Sequence, residues 1–417
     1  MGSKAFHFVA LLVTLASQCK SILAEESLHS LIIDKSEYDK RPRVKYHLYD
    51  PQLFAMYKDC LPKLGRPCFK GHDFKHTLDV NFVEAIIALN QSVDPWDATL
   101  FIVPVFFNQV DNPNYPCSQH AAKHIAQMYT VLDSQGYYKP GVRNHFLMAD
   151  HWSSGHPRNW TYGQKFKFKP EFIIGKYEQP ALSIVFKWTV EDMDATQFMV
   201  VGYATRPGIL RQCPYVPEAE PPLSIHNRTY VASFAGGTTP TPNNGLNTYL
   251  YRNLLFDYYL EHDIPNDTVI AIFDKTKPSP KKPHVWIDGN DLMRNSLMVL
   301  HLSSDTATTD RIWTAFEHLT LIGAVYSEMI ELLPQLPFAH RIPWIDIIVW
   351  IDTYTYIQNP VEAMRGTAKA LTYKQREHHY RLMKKHRRDV LWSYNESIAV
   401  YNVIEEAALH VKVLDDE

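Results

Sequence analysis

The segment LSSDTATTDRIWTAF, residues 302–316, places five small hydroxyl side chains and two aspartates next to Arg311, just ahead of an apolar run. Serine and threonine hydroxyls donate hydrogen bonds, and an arginine in the first turn of a helix can bind a diphosphate through two parallel N–H groups. The helix N-terminus itself adds unpaired N–H groups and a partial positive charge. The segment could therefore bind a phosphate group. Alternatively, Thr309 or Asp310 merely caps the helix, and the sequence leaves both interpretations open.

The elements on either side decide where such a site would lie. The apolar run SLMVLHL (296–302) predicts a buried strand, and DRIWTAFEHLTLIGA (310–324) predicts an amphipathic helix. The hydroxyl-rich segment is then a strand-to-helix loop. In open parallel sheets, ligands bind outside the carboxyl ends of the strands, which is where such a loop lies.

The same alternation of strands and helices occurs along most of the chain and predicts an α/β fold with parallel sheets. Twenty-seven prolines and a Pro-rich connection, CPYVPEAEPP (213–222), favour two domains over a helical bundle. We expect a leader at 1–24, an N-terminal domain at 25–212, a C-terminal domain at 213–365 and a helical segment at 366–417. Predicted strands lie at 43–50, 99–107, 229–237 and 268–274, a strand that opens into a loop lies at 144–155, and predicted helices lie at 118–136, 248–262 and 374–395.

Composition argues against a nucleic-acid partner. Only 21% of the 417 residues are charged and the net charge is -3, so the chain as a whole is no polycation. The predicted helix at 374–395 is basic, but apolar positions interrupt its charges. We therefore interpret it as a solvated helix face rather than a surface for nucleic acid or lipid.

The N-terminus and the polar motifs predict the secretory pathway, in the lumen of the Golgi or the ER. The apolar run at 5–16 is shorter than the ~20 residues a membrane span needs, and it fits a signal segment ending at Ala24, with an uncleaved anchor as the alternative. Cys60 and Cys68 are close enough in sequence to form a disulfide there. Glycosylation sequons lie at Asn90, Asn159, Asn227, Asn266 and Asn395.

Several blocks, taken in order, resemble the exostosin family of glycosyltransferases. The window at 296–315 is similar to the signature S-x-F-C-L-x-P-x-G-D-T-x-T-S-x-R-L-F-x-A. DPWDATLFIVPVFF (94–107) resembles D-P-x-x-A-x-L-F-x-V-P, and LPFAHRIPWIDIIVWI (336–351) resembles L-P-F-x-x-x-I-x-W. In the signature window, the matching positions are Ser296, Leu300, Asp305, Thr306, Thr308, Arg311 and Ala315, with Thr309 for the family serine.

The resemblance implies a GT-B fold, in which two Rossmann-like domains face each other across a cleft, and an inverting transfer from a nucleotide sugar. A UDP-sugar would be the donor, a glycan or polysaccharide the acceptor, and no metal cofactor is expected. Complexes with other glycosyltransferases are a further expectation. The donor site would comprise Asp305, Thr306, Thr308, Thr309, Arg311 and Arg252.

Inverting transfer needs a base that deprotonates the acceptor hydroxyl, and Asp150, which ends a predicted strand, is the candidate. The departures from the signature favour an alternative: Val299, Leu302 and Ser304 replace its Cys, Pro and Gly, and residues 319–322 replace a later G-C-I-P turn. The chain would then be an inactive partner subunit or a glycan-binding protein.

Two patterns could instead bind a metal. Asp192 and Asp194 form an Asp-x-Asp pair, which in a metal-dependent transferase of the other common fold would hold Mn²⁺ or Mg²⁺ and bridge it to a diphosphate. His120 and His124 have i,i+4 spacing, which could also suit a metal. A turn is the simpler interpretation of the first pattern, and a solvated helix face that of the second.

Overall fold

The computed structural model describes the strands and helices that form the two halves of the chain. The described residues are 44–60, 78–107, 121–149, 169–176, 198–201, 222–238, 249–274, 289–303, 309–330, 333, 336–392 and 398–414.

The N-terminal half contains a parallel sheet whose strands follow one another in chain order. Its five described strands lie in the order β1-β2-β4-β5-β6. Every residue of β2 and β4 is buried, as expected of strands covered on both faces. The bounds are β1 Tyr46–Leu48, β2 Leu100–Ile102, β4 His145–Met148, β5 Phe172–Lys176 and β6 Phe198–Val200, with the helices α1 Ala55–Cys60, α2 Leu78–Leu89 and α3 Ala121–Ser134.

The C-terminal half contains a second parallel sheet, also of five described strands, in the order β11-β10-β9-β7-β8. Its strands are β7 Tyr230–Thr238, β8 Thr268–Asp274, β9 Ser296–His301, β10 Leu321–Val325 and β11 Ile348–Ile351. The helices of this half are α4 Leu250–Glu261, α5 Gly289–Asn295, α6 Arg311–His318, α7 Tyr326–Met329, α8 Trp344–Ile347, α9 Thr353–Gln358, α10 Pro360–Ala370 and α11 Tyr373–Val390.

The order of this second sheet creates a switch point. Starting from β7, the chain first adds β8 on one side and then adds β9, β10 and β11 on the other. This is the 2-1-3-4-5 order of doubly wound sheets, in which a crevice opens between the first and third strands at their carboxyl ends. The crevice here lies between β7 and β9. The prediction of an α/β fold with two Rossmann-like parallel sheets is confirmed.

The helix predicted at 310–324 was too long. It ends at His318, because Leu319 adopts a left-handed conformation with φ +51°, and the next residues form β10. The N–H of Leu319 bonds back to the carbonyls of Ala315 and Phe316, which closes the helix. The apolar residues that extended the helical pattern instead belong to a buried central strand.

The last part of the chain packs on both halves. Helix α11 contacts α6, α8 and β10 of the second sheet, whereas α12, Ala399–Leu409, contacts α2 and β5 of the first. Beyond α12, a short strand β12, Lys412–Val413, pairs antiparallel with β3, Val142–Arg143. Residues 366–417 were predicted as a helical segment, and their described part covers the N-terminal unit as well as the C-terminal one. The proposed boundary at residue 213 lies outside the described residues.

Trp313 forms the centre of the apolar layer between α6 and α8. It is 1% exposed and its ring meets that of Trp344 edge-on, with 5.8 Å between centroids. Phe316, one turn along α6, packs against the same ring at 5.7 Å. Because α6 starts with Arg311, this packing also fixes the position of that arginine.

Arg228 binds backbone carbonyls at the carboxyl ends of two helices that pack on the second sheet. Its Nη2 donates to the carbonyls of Leu223 and His318, both at 2.8 Å, and its Nη1 donates to the carbonyl of Arg294. Burial lowers the pKa of the guanidinium to about 10, so it stays charged at neutral pH. A single cation thus binds carbonyls at the ends of α5 and α6.

Replacing Arg228 by methionine is expected to destabilise the protein by about 3 kcal/mol, because the substitution leaves several buried carbonyl groups without donors. Urea unfolding measures the effect. Arg381, which is exposed on α11, provides the control, and Arg381→Met should change the free energy of unfolding by less than about 0.5 kcal/mol. Equal effects of the two substitutions would contradict a structural role of Arg228.

Candidate functional site

Arg311 lies at the switch point, with its guanidinium against the carboxyl end of β7. Its Nη2 donates to the carbonyl of Ala235 at 2.6 Å and its Nη1 to Thr309 Oγ1 at 3.0 Å. The group also lies over the ring of Phe234, 4.9 Å from its centroid. The described residues engage two of its five N–H donors, and the side chain is 8% exposed.

Arg252 of α4 brings a second guanidinium to the same place. Its Nη1 donates to the carbonyl of Gly237 at 2.8 Å, and its Nη2 donates to the carbonyl of Leu302 at 2.7 Å. Gly237 lies at the end of β7, and Leu302 follows β9. Arg252 therefore bridges the two strands between which the crevice opens.

The close approach of the two arginines depends on a glycine. A Cβ at Gly236 would lie 2.9 Å from Arg311 Nη2 and 3.4 Å from Arg252 Nη1. The first distance is shorter than a carbon–nitrogen contact allows, so a side chain here would displace the Arg311 guanidinium. Gly236 thus makes room for both cations.

Glu328 contributes the negative charge of the site. It follows β10, and its Oε1 accepts a hydrogen bond from the N–H of Ser303 at 3.0 Å. Its Oε2 is buried, and the described part of the chain offers that atom no hydrogen-bond donor. Burial raises the pKa of Glu328 to about 7, although the hydrogen bonds from Ser303 and the charges of Arg252 and Arg311 oppose the rise.

Among the described residues, two buried guanidiniums lie beside a single buried carboxyl group, Glu328, and the charge of Asp310 also acts on Arg311. Burial lowers the pKa of Arg311 to about 9, and the charge of Arg252 acts in the same direction. Both effects show that these cations are held at a cost in solvation and mutual repulsion. An anion bound between them would offset that cost, which makes this cluster (Arg252, Arg311, Glu328) a candidate anion site.

Thr309 and Asp310 do not cap helix α6 with their side chains. Asp310 occupies the N-cap position without a side-chain cap hydrogen bond. Thr309 Oγ1 instead accepts from Arg311, and lies 3.3 Å from His301 Nδ1. The hydroxyl of Thr309 therefore orients the guanidinium rather than the helix.

The structure brings together three of the predicted donor-site residues, Thr309, Arg311 and Arg252. The predicted base Asp150 and the residues Asp305, Thr306 and Thr308 lie outside the described residues, so their roles stay predictions.

Glu328 belongs to the cluster and Gly236 adjoins it, and sequence reasoning assigned neither to the site. Ser303, which donates to Glu328, is one of the five hydroxyl residues of the segment at 302–316. Glu328 could have been found if LIGAV had been interpreted as a strand. The residue would then lie just after the carboxyl end of that strand, where parallel sheets bind their ligands.

The other predicted sites are only partly described. Asn90, Asn227 and Asn266 are exposed, as glycosylation requires, whereas Asn159 and Asn395 lie outside the described residues. Cys68 and the side chain of Cys60 also lie outside the described part of the chain. No helix in the described ranges is both long enough and apolar enough for a bilayer crossing.

The metal alternatives find no support where the structure can test them. His124 is 2% exposed, not on a solvated face as predicted, and its Nε2 lies 3.5 Å from Asp59 Oδ2. It is buried because α3 turns it toward α1. His120, Asp192 and Asp194 lie outside the described ranges. Within those ranges, no three His, Cys, Asp or Glu side chains are grouped as metal ligands would be.

The pKa of Glu328 predicts a specific pH dependence of stability. In the folded protein it is about 7, compared with an ordinary value of 4.5, so between these values the folded state holds a proton that the unfolded state has lost. The contribution of this group to stability is therefore greatest below about pH 4.5 and decreases as the pH rises to about 7. Glu328→Gln should flatten the decline in the free energy of unfolding between pH 5 and pH 8.

Urea titrations at four pH values measure the slope of the free energy of unfolding against pH. Glu362 is the matched control, because its side chain is 57% exposed and paired with Arg365 at the surface. Glu362→Gln should leave the slope as it is in the unmodified chain. If Glu328→Gln also left it unchanged, the carboxyl would not be titrating in this range.

Comparison with known proteins places the chain beside glycosyltransferases only at a low level of similarity. No protein-family model matches the chain, and no curated protein sequence matches it. Among solved structures, it is similar to the glycotransferase of kitacinnamycin and to Arabidopsis thaliana UGT89C1 complexed with UDP. Each has a TM-score of 0.30 and 10% identity, and each alignment covers 92% of this chain and 95% of the other. A TM-score of this size establishes neither a shared fold nor a shared activity.

Proposed function

We propose that the chain is a glycosyltransferase that binds the diphosphate of a nucleotide sugar between Arg252 and Arg311. The observation that carries this proposal is the position of the two guanidiniums at the switch point of a doubly wound sheet, where such sheets bind nucleotides. The fixed positive charge stabilises a diphosphate leaving group, on which negative charge develops as the sugar–phosphate bond breaks.

The surroundings of the arginines suit a nucleotide rather than a simple anion. Glu328 Oε2 is a buried acceptor without a described partner, and it can accept a hydrogen bond from a sugar hydroxyl of the ligand. Serine and threonine residues at 303–309 supply further donors in the sequence. A site with cations for phosphate and an acceptor for a hydroxyl is what a nucleoside diphosphate requires.

The finer assignment rests on the exostosin resemblance. In this proposal the donor is a UDP-sugar, the acceptor is a glycan or polysaccharide, and the transfer is inverting, with Asp150 as the base. The two sheets would face each other across a GT-B cleft, and the protein would act in the secretory pathway, alone or with other glycosyltransferases.

The alternative is a partner subunit or glycan-binding protein that has lost activity. The substitutions at 299, 302 and 304 and at 319–322 favour it, and they leave the guanidinium pair in place. Nucleotide binding without sugar transfer would identify this alternative.

Calorimetry with UDP, GDP and several UDP-sugars, each with and without EDTA, tests the proposal. We expect one UDP-sugar to bind with EDTA present, and release of UDP once a suitable acceptor is added. Binding that requires a divalent cation would favour the metal-dependent alternative. A folded chain that binds no nucleotide would overturn the proposal.

A further inference from the structure

Helix α11 presents a row of basic side chains to solvent. Lys374, His378, Arg381, Lys385 and Arg388 recur every three or four residues, so they lie along one face of the helix, and we call them the basic stripe. All five are exposed, Arg381 with 78% of its side chain. From Lys374 to Arg388 the stripe is about 21 Å long. Lys384, also exposed, widens it on one side.

The opposite face of α11 is fully used in packing. Met383, His386 and Val390 are buried against the second unit. The basic residues on that side have structural roles, since Arg387 donates to the carbonyl of Glu317 at 2.8 Å and Arg376 to that of Leu371 at 3.0 Å. The basic stripe therefore consists of the basic residues of α11 that do not pack against the second unit.

Most of the stripe has no counter-ion among the residues that the structure describes. Arg381 lies 3.5 Å from Glu377, a carboxylate that also bonds His226 at 2.8 Å. No described carboxylate forms a salt bridge with Lys374, Lys384, Lys385 or Arg388.

The neighbouring helix α10 shows the contrast. Its Arg365 and Lys369 both pair with Asp267, each at 2.8 Å. Like charges four residues apart, as at 381 and 385 or 384 and 388, destabilise a helix. The stripe is thus a concentrated positive surface on a chain whose net charge is -3.

We propose that the basic stripe binds a linear anionic polysaccharide, one that carries carboxylate or sulfate groups along its length. The cations Arg381, Lys385 and Arg388 follow one another about 5 Å apart along the helix, and Lys374 lies about 10 Å before them, a row that matches a linear chain of anions better than a compact ion. A helix that lies in a membrane interface inserts its apolar face, and α11 has already buried that face against α6, α8 and β10. The exposed aromatic residue beside the stripe, Tyr373, stacks on the ring of His226 with 4.2 Å between centroids.

Binding of fluorescently labelled dextran sulfate and polygalacturonate in 150 mM NaCl tests the proposal, with neutral dextran as the control ligand. In the stripe variant, Lys374, Arg381, Lys385 and Arg388 are all replaced by glutamine. We expect its affinity for both anionic polymers to fall at least tenfold, and its binding to depend less steeply on salt. Because all four side chains are exposed, thermal unfolding should change little.

A second variant controls for net charge. Replacing Lys45, Lys58, Lys123 and Lys139 by glutamine removes the same charge from exposed positions in the N-terminal half. This variant should bind both polymers within about twofold of the unmodified chain. Equal losses in the two variants, or no binding by the unmodified chain, would overturn the proposal. So would tighter binding to phosphatidylserine vesicles or to duplex DNA than to the polysaccharides. None of these measurements involves UDP or a nucleotide sugar, so they succeed or fail independently of the proposed transferase activity.

Discussion

Replacing Arg311 by alanine should weaken the binding of UDP by about 100-fold. The guanidinium can make two charge-assisted hydrogen bonds to a diphosphate, and one hydrogen bond to a charged group is worth about 1.5–3 kcal/mol. The site is buried, so water compensates little for the loss. Calorimetric titration of UDP, together with the melting temperature of each variant, measures binding and folding separately.

Two further variants separate charge from geometry. Arg311→Lys keeps the charge but loses the planar pair of donors, and should cost about tenfold. Gly236→Ala keeps the arginine but places a Cβ 2.9 Å from its Nη2, and should also weaken binding because the guanidinium must move.

Arg365 is the matched control, since it pairs with Asp267 beside the start of β8, at the opposite edge of the sheet. UDP binding should be unaffected by Arg365→Ala. If Arg311→Ala bound UDP as well as Arg365→Ala, the nucleotide would not contact this cluster.

Replacing Trp313 by alanine should lower the free energy of unfolding by about 3–5 kcal/mol. The side chain is 1% exposed and packs between α6 and α8, so truncation leaves a large cavity that its neighbours cannot fill. Urea unfolding measures the loss. Nucleotide binding should weaken as well, since α6 carries Arg311 into the site.

Two substitutions test whether the cavity causes the effect. Trp313→Phe fills most of the volume, and it removes an indole N–H for which the described residues offer no acceptor, so it should cost less than about 2 kcal/mol. Trp96 is 72% exposed, and Trp96→Ala should have an effect below about 1 kcal/mol. A loss in Trp313→Phe as large as in Trp313→Ala would contradict the packing explanation.

The sequence predicted the alternating elements well because their patterns are local. Strands such as SLMVLHL and TVIAIFD are short apolar runs bounded by polar residues, and both form strands within a residue of the predicted ends. LTLIGA was assigned to the wrong element, because an apolar run after an amphipathic helix extends the helical pattern. The helix ends because Leu319 adopts a left-handed conformation. Helices that end in this way usually have glycine at that position, so a leucine gave no signal in the sequence.

The site could be predicted only in part, because its members come together through strand order. Arg311 was identified from its position ahead of an apolar run, and Arg252 from the family resemblance. Both arginines donate to carbonyls near the end of β7. They can do so because β7 lies between β8 and β9, and that strand order is a property of the whole sheet. Gly236 and Glu328 are far from Arg311 in sequence, and no spacing rule connects them to it.

The return of the C-terminal segment to the first sheet has a consequence for biosynthesis. The last described strand of that sheet ends at Val200, but α12 and β12, which cover α2, β5 and β3, emerge from the ribosome about 200 residues later. At ordinary rates of translation the delay is about 10–40 s. During that time the N-terminal unit exposes apolar surface that no described element before α12 covers. A nascent chain arrested before residue 399 should therefore be a chaperone client, and the 417-residue chain released from the ribosome should not.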